Sequence, residues 1–176
     1  MGGIVRVMKR SAAAVLALLV LAACGNGGGD PDDVAFAQGM MPHHQQALEM
    51  VALVEDADAS PEVVDLASRI AAAQEPEIAT LRGWLEEWDA DNSGHDHGGD
   101  AAMGMATEDD LEALADLTGT EFDERWLTLM IAHHEGAVAM AEEQIAEGDD
   151  PEVTALAESV VESQQAEITE MKDLLA

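Results

Sequence analysis

Tyrosine is absent from the 176-residue chain, and aromatic residues make up only 3% of it. That leaves little on which nucleic-acid bases could stack. Basic residues are scarce too, with seven Lys and Arg against 37 Asp and Glu and a formal net charge of −30. Nucleic-acid binding rests on Lys and Arg neutralising phosphates, so that class is disfavoured. Docking on anionic lipid through a basic face is disfavoured with it. The single cysteine, Cys24, excludes an internal disulfide, a Cys-based zinc site and a Cys-ligated iron–sulfur cluster. No segment alternates with period two, so strands have no support. No Glu-x-x-His occurs, which counts against a di-iron oxidase bundle. What remains is a chain that is 48% hydrophobic, enough to bury a core despite its charge.

The basic residues are unevenly placed. Arg6, Lys9 and Arg10 precede a short apolar run from Ala12 to Ala23, whereas every acidic residue follows Cys24. The run is short for a membrane span and has the shape of a secretory signal peptide. It ends Leu21-Ala22-Ala23-Cys24, which resembles a bacterial lipobox and implies cleavage before Cys24 and acylation of that cysteine. The expected organisation is a signal peptide over 1–23, then the lipidated Cys24 and a Gly-rich flexible tether over 24–33. A folded domain over 34–176 follows, held by its lipid at the extracytoplasmic face of the cell membrane.

Sliding the chain against itself by 90 residues reveals a duplication. Segments 36–85 and 126–175 align without a gap and agree at 14 of 50 positions. Met40, His43, His44, Ala47 and Met50 fall on Met130, His133, His134, Ala137 and Met140. Pro61, Glu62, Val63, Leu66, Ala67, Gln74, Glu77 and Ile78 recur as the residues 90 positions later. Such a unit is too long for a solenoid repeat and reads as a duplicated pair of helices.

Local signals agree. Ser60-Pro61 and Asp150-Pro151 put a capping side chain before a proline at the first helical position. Val63, Leu66, Ala67, Ile70, Ile78, Leu81 and Leu85 keep helical spacing. Gly148 is a plausible stop for the helix before it. Helices are expected near 33–57, 61–89, 120–147 and 151–175, with a short one near 108–117 opened by Thr107 and Asp110. Two αα-hairpins joined by a crossover over 90–119 give an all-α, ferritin-like four-helix bundle. Pro42 belongs either in a first turn or at a kink before the His pair. Trp84, Trp88 and Trp126 read as bundle-end packing.

Chemistry concentrates in the repeated blocks. Met40, His43, Ala47 and Met50 share one helical stripe, repeated at Met130, His133, Ala137 and Met140. His44 and His134 lie one position further round, each four residues after its Met. Each half thus offers a thioether and two imidazoles within about one turn. Soft sulfur with imidazole and no thiolate suits copper, the thioether favouring Cu(I). Zinc prefers Cys and His. Gln74, Glu77, Gln164 and Glu167 recur one turn apart on the partner helices and are candidates to orient the imidazole N–H groups. Met50 and Met140 are candidates for extra ligands, but a Met stripe is equally an ordinary core. In the crossover, His95, His97, Met103 and Met105 offer a further loose donor cluster, or an incidental linker.

These blocks, with the Pro-Glu-Val and Gln-x-x-Glu-Ile segments and Trp84-Leu85, resemble the ferritin-like family of lipoproteins and secreted proteins called domain of unknown function 305. The resemblance covers about 34–176. It implies a four-helix bundle and, for CopM-like members, copper binding and copper resistance. On that basis Met40, His43, His44, Met130, His133 and His134 are the expected ligands of a copper ion, Cu(I) or Cu(II). Ile131 opposite Met41 departs from a symmetric pattern. The expected function is a membrane-anchored, extracytoplasmic protein that sequesters or hands over copper and is not an enzyme. The competing expectation is a non-catalytic structural or partner-binding helical lipoprotein without metal. Imidazole must be neutral to ligate, so binding is expected to weaken below about pH 6.

Overall fold

A computed structural model describes residues 28–90 and 103–176. The signal peptide, Cys24, His95 and His97 lie outside the described residues. Four long helices and one short one follow in order: α1 (Pro31–Ala52), α2 (Pro61–Glu87), α3 (Glu108–Ala115), α4 (Gly119–Glu147) and α5 (Pro151–Leu174). A 3₁₀ turn over Leu53–Asp56 finishes α1. None of the described helices is long and apolar enough to cross a membrane.

The caps are those the sequence implies. The Ser60 hydroxyl accepts from the Val63 amide, and the Asp150 carboxylate accepts from the Glu152 and Val153 amides. Thr107 and Asp110 close a reciprocal capping box on α3. One boundary needs correction: α1 begins at Pro31, inside the expected tether of 24–33. Asp30-Pro31 is a third capping-residue–proline start, and the Asp30 side chain accepts from the Asp32 amide. Pro42 and Pro76 both sit within continuous helices, so Pro42 is not a first-turn residue.

The helices pack as two hairpins, α1 on α2 and α4 on α5, which meet along α1 and α4. Those two run antiparallel, as three pairings show. Asp33 meets Gln144, the His43 ring meets the His133 ring, and the Trp126 indole N–H donates to the Met50 carbonyl. Trp126 is therefore fully buried seven residues inside α4, not packed at the bundle end. Trp84 and Trp88 do stack near an end, and Gly29 lies against the Trp88 ring.

The apolar core is split. One cluster gathers the end of α1, the start of α2 and the start of α4, including Leu66, Ile70, Phe122 and Met130. The other gathers the start of α1 and of α5 with the end of α2, including Phe36, Met40, Leu81 and Val153. Between them in sequence, on every long helix, lies a buried polar residue: His43 and His44, Gln74, His133 and His134, and Gln164.

Two aspartates lock the hairpins together. Asp33 is 1% exposed, and its Oδ2 accepts from the Asp150 amide while its Oδ1 accepts from the Gln144 side chain. Ninety residues on, Asp123 accepts from the Ser60 amide. Each carboxylate thus stands at the first turn of the other half's second helix, where N–H groups lack intrahelical partners.

The crossover is docked, not merely tethered. The Gln46 amide exchanges two hydrogen bonds with the Ala106 backbone. Gly104 has φ +71°, and any Cβ there would collide with the Ala132 carbonyl. A Cβ on Gly136 would run into the Met103 carbonyl. Gln46 and Gly136 are repeat counterparts, so one copy clamps the crossover and the other makes room for it. Gly148 likewise ends α4 for reasons of space: its φ is negative, but a Cβ would strike the Gln144 amide and crowd Asp33. Gly136→Ala tests this arrangement by sign. Helix propensity alone would stabilise the variant by about 1 kcal/mol. Expulsion of Met103 is expected to reverse that and destabilise by about 1–3 kcal/mol, read from urea unfolding midpoints; a stabilised variant would show that the crossover is not seated on α4.

Candidate metal centre

At the crossing of α1 and α4 the His43 and His133 rings lie 3.7 Å apart between centroids, tilted by 39°. Both are essentially fully buried, as are His44 and His134. The outer pair is held by carboxylates one repeat apart. His44 Nε2 donates to Glu77 at 2.8 Å, and His134 Nε2 donates to Glu167 at 2.8 Å. His43 Nε2 donates to the Met103 carbonyl at 2.9 Å. A carbonyl only accepts, so the proton of neutral His43 is on Nε2 and its Nδ1 carries a lone pair. His44 and His134 likewise turn Nε2 toward an accepting carboxylate and leave Nδ1 buried without a hydrogen-bond partner.

The Nδ1 atoms of His43, His44, His133 and His134 have no hydrogen-bond partner, nor has His133 Nε2. Gln74 lacks a partner at both amide atoms and Gln164 at Oε1. Buried polar atoms are rarely left so, since each costs about 1–3 kcal/mol. Here they are grouped in one layer, and most are bare acceptors. A cation is the species such a layer fits. The Glu-to-imidazole contacts are those that commonly fix the tautomer of a metal-ligating histidine.

Sulfur flanks the layer. Met40 and Met130 are fully buried on opposite sides of it, Met40 in the cluster with Ala137 and Met130 in the cluster with Ala47. The small alanines let each thioether approach the facing helix. Among the described residues no three His, Cys, Asp or Glu side chains gather closely enough to hold a metal ion by themselves. A site here would draw on methionine as well as imidazole, which favours a soft ion.

Other candidates are placed differently. Met50 is buried core, whereas its counterpart Met140 is partly exposed beside Gly39. Glu77 and Glu167 reach the imidazoles, while Gln74 and Gln164 make no contact with them that qualifies as a hydrogen bond. Met103 is brought to His43 through its backbone, and Met105 is half-buried two residues on. The Asp33–Asp123 latch escaped the sequence reading. Its signal was present, because extending the 90-residue alignment three positions upstream pairs Asp33 with Asp123.

The family described as Domain of unknown function (DUF305) matches residues 33–175. Among solved structures, a DUF305 protein from Streptomyces coelicolor is 36% identical, covers 82% of this chain and 91% of its own, and superposes with a TM-score of 0.77. A DUF305 fragment from Deinococcus radiodurans is 32% identical, with 84% and 97% covered and a TM-score of 0.77. CopM in its Cu(I)-bound form is 31% identical, with 81% and 94% covered and a TM-score of 0.68. CopM is also known in Cu(II)-bound and Ag-bound forms. No curated protein sequence matches the chain.

Burial, opposed by the bond to the Met103 carbonyl and aided by repulsion from His44 and His134, pushes the His43 pKa down to about 4. Burial and then repulsion from His43, His134 and His44 push His133 lower still. Both imidazoles stay neutral in the folded metal-free chain where the unfolded chain protonates them, below about pH 6.5. Unfolding therefore takes up protons, and stability is lost as pH falls below 6.5, levelling for His43 only near its folded value. Between pH 7 and 5 the two histidines together are expected to remove about 4 kcal/mol. Urea unfolding of metal-free protein at stepped pH checks this; a flat profile over that window would mean that neither imidazole is buried neutral.

Proposed function

Because the chain belongs to the DUF305 family, we propose that it is a copper-binding protein whose ion is held in the buried histidine layer. The observation that carries the reading is the set of four Nδ1 atoms without partners, flanked by the Met40 and Met130 thioethers. His43, His44, His133 and His134 would supply nitrogen, and Met40 and Met130 would supply sulfur. Copper accepts such a mixed set in both common oxidation states, with the sulfurs retaining Cu(I). The structures of CopM with Cu(I) and Cu(II) support the choice of metal.

Glu77 and Glu167 hold the outer imidazoles with Nε2 protonated, and the Met103 carbonyl does the same for His43. The ring faces that carry lone pairs are thereby fixed before any ion arrives, which lowers the ordering cost of binding. Since His43 and His133 resist protonation, ligation by the inner pair extends below the pH 6 limit that free imidazoles would set. The role is sequestration or transfer and not turnover. Each glutamate nearest a His is already committed to holding it, and Glu-x-x-His is absent. The lipobox-like Leu21-Ala22-Ala23-Cys24 supports an extracytoplasmic location on an acyl anchor.

Two measurements test the reading. Copper titration of the full chain in detergent, with zinc in parallel, is expected to show saturable, copper-selective binding. Replacing His43 and His133 together by Ala should weaken it by at least about 100-fold, the usual scale for losing ligands or their orienting partners. Copper affinity unchanged in that variant, or no copper bound by the parent chain, would leave a helical bundle with a polar core. For the anchor, Cys24→Ser is expected to move the protein from the membrane fraction to the soluble fraction; retention on the membrane would exclude acylation at that cysteine as the tether.

A further inference from the structure

One half of the duplication carries a feature that the other lacks. A groove of about 310 Å³ opens between the start of α1, the end of α4 and the beginning of the described crossover. Phe36 and Gly39 form its α1 wall, and Met103 and Met140 line it with two methionines. The Met140 sulfur sits 3.6 Å from where a Cβ on Gly39 would be. It therefore lies over a stretch of helix that has no side chain of its own.

Gln144 also lines the groove. It is 3% exposed, and its amide nitrogen donates to Asp33. That bond fixes the orientation of the amide, because a carboxylate accepts and does not donate. The other end, Oε1, is left buried without a partner. A buried acceptor beside two methionines is an unusual lining for a crevice between helices. The groove's remaining polar residues, Asp32, Glu143 and Glu147, are exposed carboxylates that raise the local concentration of cations.

The repeat supplies a control. Ninety residues away, the counterparts of Gly39, Met140 and Gln144 are Leu129, Met50 and Val54. All three are buried in the apolar core. The methionine is common to both halves, and its neighbours differ. Leu129 and Val54 are hydrocarbon in the same cluster as Met50, whereas Gly39 and Gln144 bring bare backbone and an amide oxygen to the groove that Met140 lines. Packing alone is satisfied by the first solution and does not call for the second.

We propose that this groove is an outer subsite for a soft monovalent cation, held by the Met103 and Met140 sulfurs with Gln144 Oε1 as the oxygen donor. Thioether sulfur selects such ions over hard ones. Its position suggests the use. Met103 lines the groove with its residue and, through its carbonyl, accepts the His43 Nε2 proton. An ion in the groove is therefore one residue removed from the buried imidazoles, in the place an ion would occupy on entering or leaving them. That role as an antechamber rests on the copper reading of the histidine layer, whereas binding in the groove itself does not.

The test uses Ag(I), a redox-inert soft probe, with the full chain in detergent and methionine methyl groups labelled for NMR. The Met103 and Met140 methyl resonances are expected to shift as Ag(I) is added, and to remain still with Zn(II). Met140→Leu and Met103→Leu conserve volume and should fold normally. Each is expected to lower the number of Ag(I) bound by one, or to weaken one site at least tenfold. With His43 and His133 both replaced by Ala, the two methyl shifts should persist. Resonances that stay unmoved at Ag(I) saturation, leucine variants with unchanged stoichiometry, or equal shifts with Zn(II) would each overturn the subsite. Loss of the methyl shifts in the double His variant would overturn it as an independent site while leaving the copper layer standing. Shifts that persist while that variant binds as much Ag(I) and copper as the parent would leave the groove and remove the layer.

Discussion

Four buried imidazoles in one layer of the bundle are the constraint around which it is arranged. An imidazole carried from water into an apolar interior loses hydration at both nitrogens, and a protonated one loses far more. The cost of the layer is reduced wherever a ring N–H is given an acceptor. Glu77, Glu167 and the Met103 carbonyl do this for three rings. The His133 ring nitrogens have no such acceptor, and the ring lies tilted against that of His43. The apolar clusters to either side supply the hydrophobic stabilisation that offsets the cost, at about 1.5–3 kcal/mol for each large side chain buried.

Duplication explains why the layer is so nearly symmetric, and the departures from symmetry show where each copy acquired its own task. The His pairs, the glutamates that hold the outer rings, and the Asp33 and Asp123 latches occur in both halves. The latches and the His43–His133 contact join the two halves, whereas each glutamate holds an imidazole of its own half. The described part of the crossover, from Met103 onward, meets Gln46 in one half and Gly136 in the other. There Gln46 clamps Ala106, while Gly136 yields its side-chain space to Met103. The same crossover supplies the acceptor for His43, whereas His133 lies against His43 itself.

Much of the fold was legible because its signals are local. Helical spacing, the capping residues before Pro61 and Pro151, and the Thr107–Asp110 box each depend on neighbours within a turn. The MxxHH blocks were legible because duplication printed them twice. Asp30-Pro31 was hidden by the glycines before it, which read as tether. Trp126 misled for a different reason: a tryptophan near a helix start reads as end packing until the antiparallel partner places it opposite Met50. Nothing in the sequence says that Gly136 faces a carbonyl 33 residues earlier, or that Met50 and Met140 have separate fates. Those facts belong to the crossover's path.

The donor arithmetic then narrows what the layer can hold. Two imidazoles lie 3.7 Å apart and tilted at the centre, and each of the other two is hydrogen-bonded to a glutamate. No three nitrogen or oxygen donors of His, Asp or Glu are grouped tightly among the described residues. A hard ion that needs four to six such ligands has no shell to enter. A structural zinc, which relies on Cys and His in a closed tetrahedron, is equally short of partners. A soft ion needs fewer nitrogens if sulfur is at hand, and Met40 and Met130 stand on the two sides of the layer at matched positions. On the copper reading proposed above, sulfur makes up for the scarcity of conventional ligands, which would give the fully buried methionines a role beyond packing.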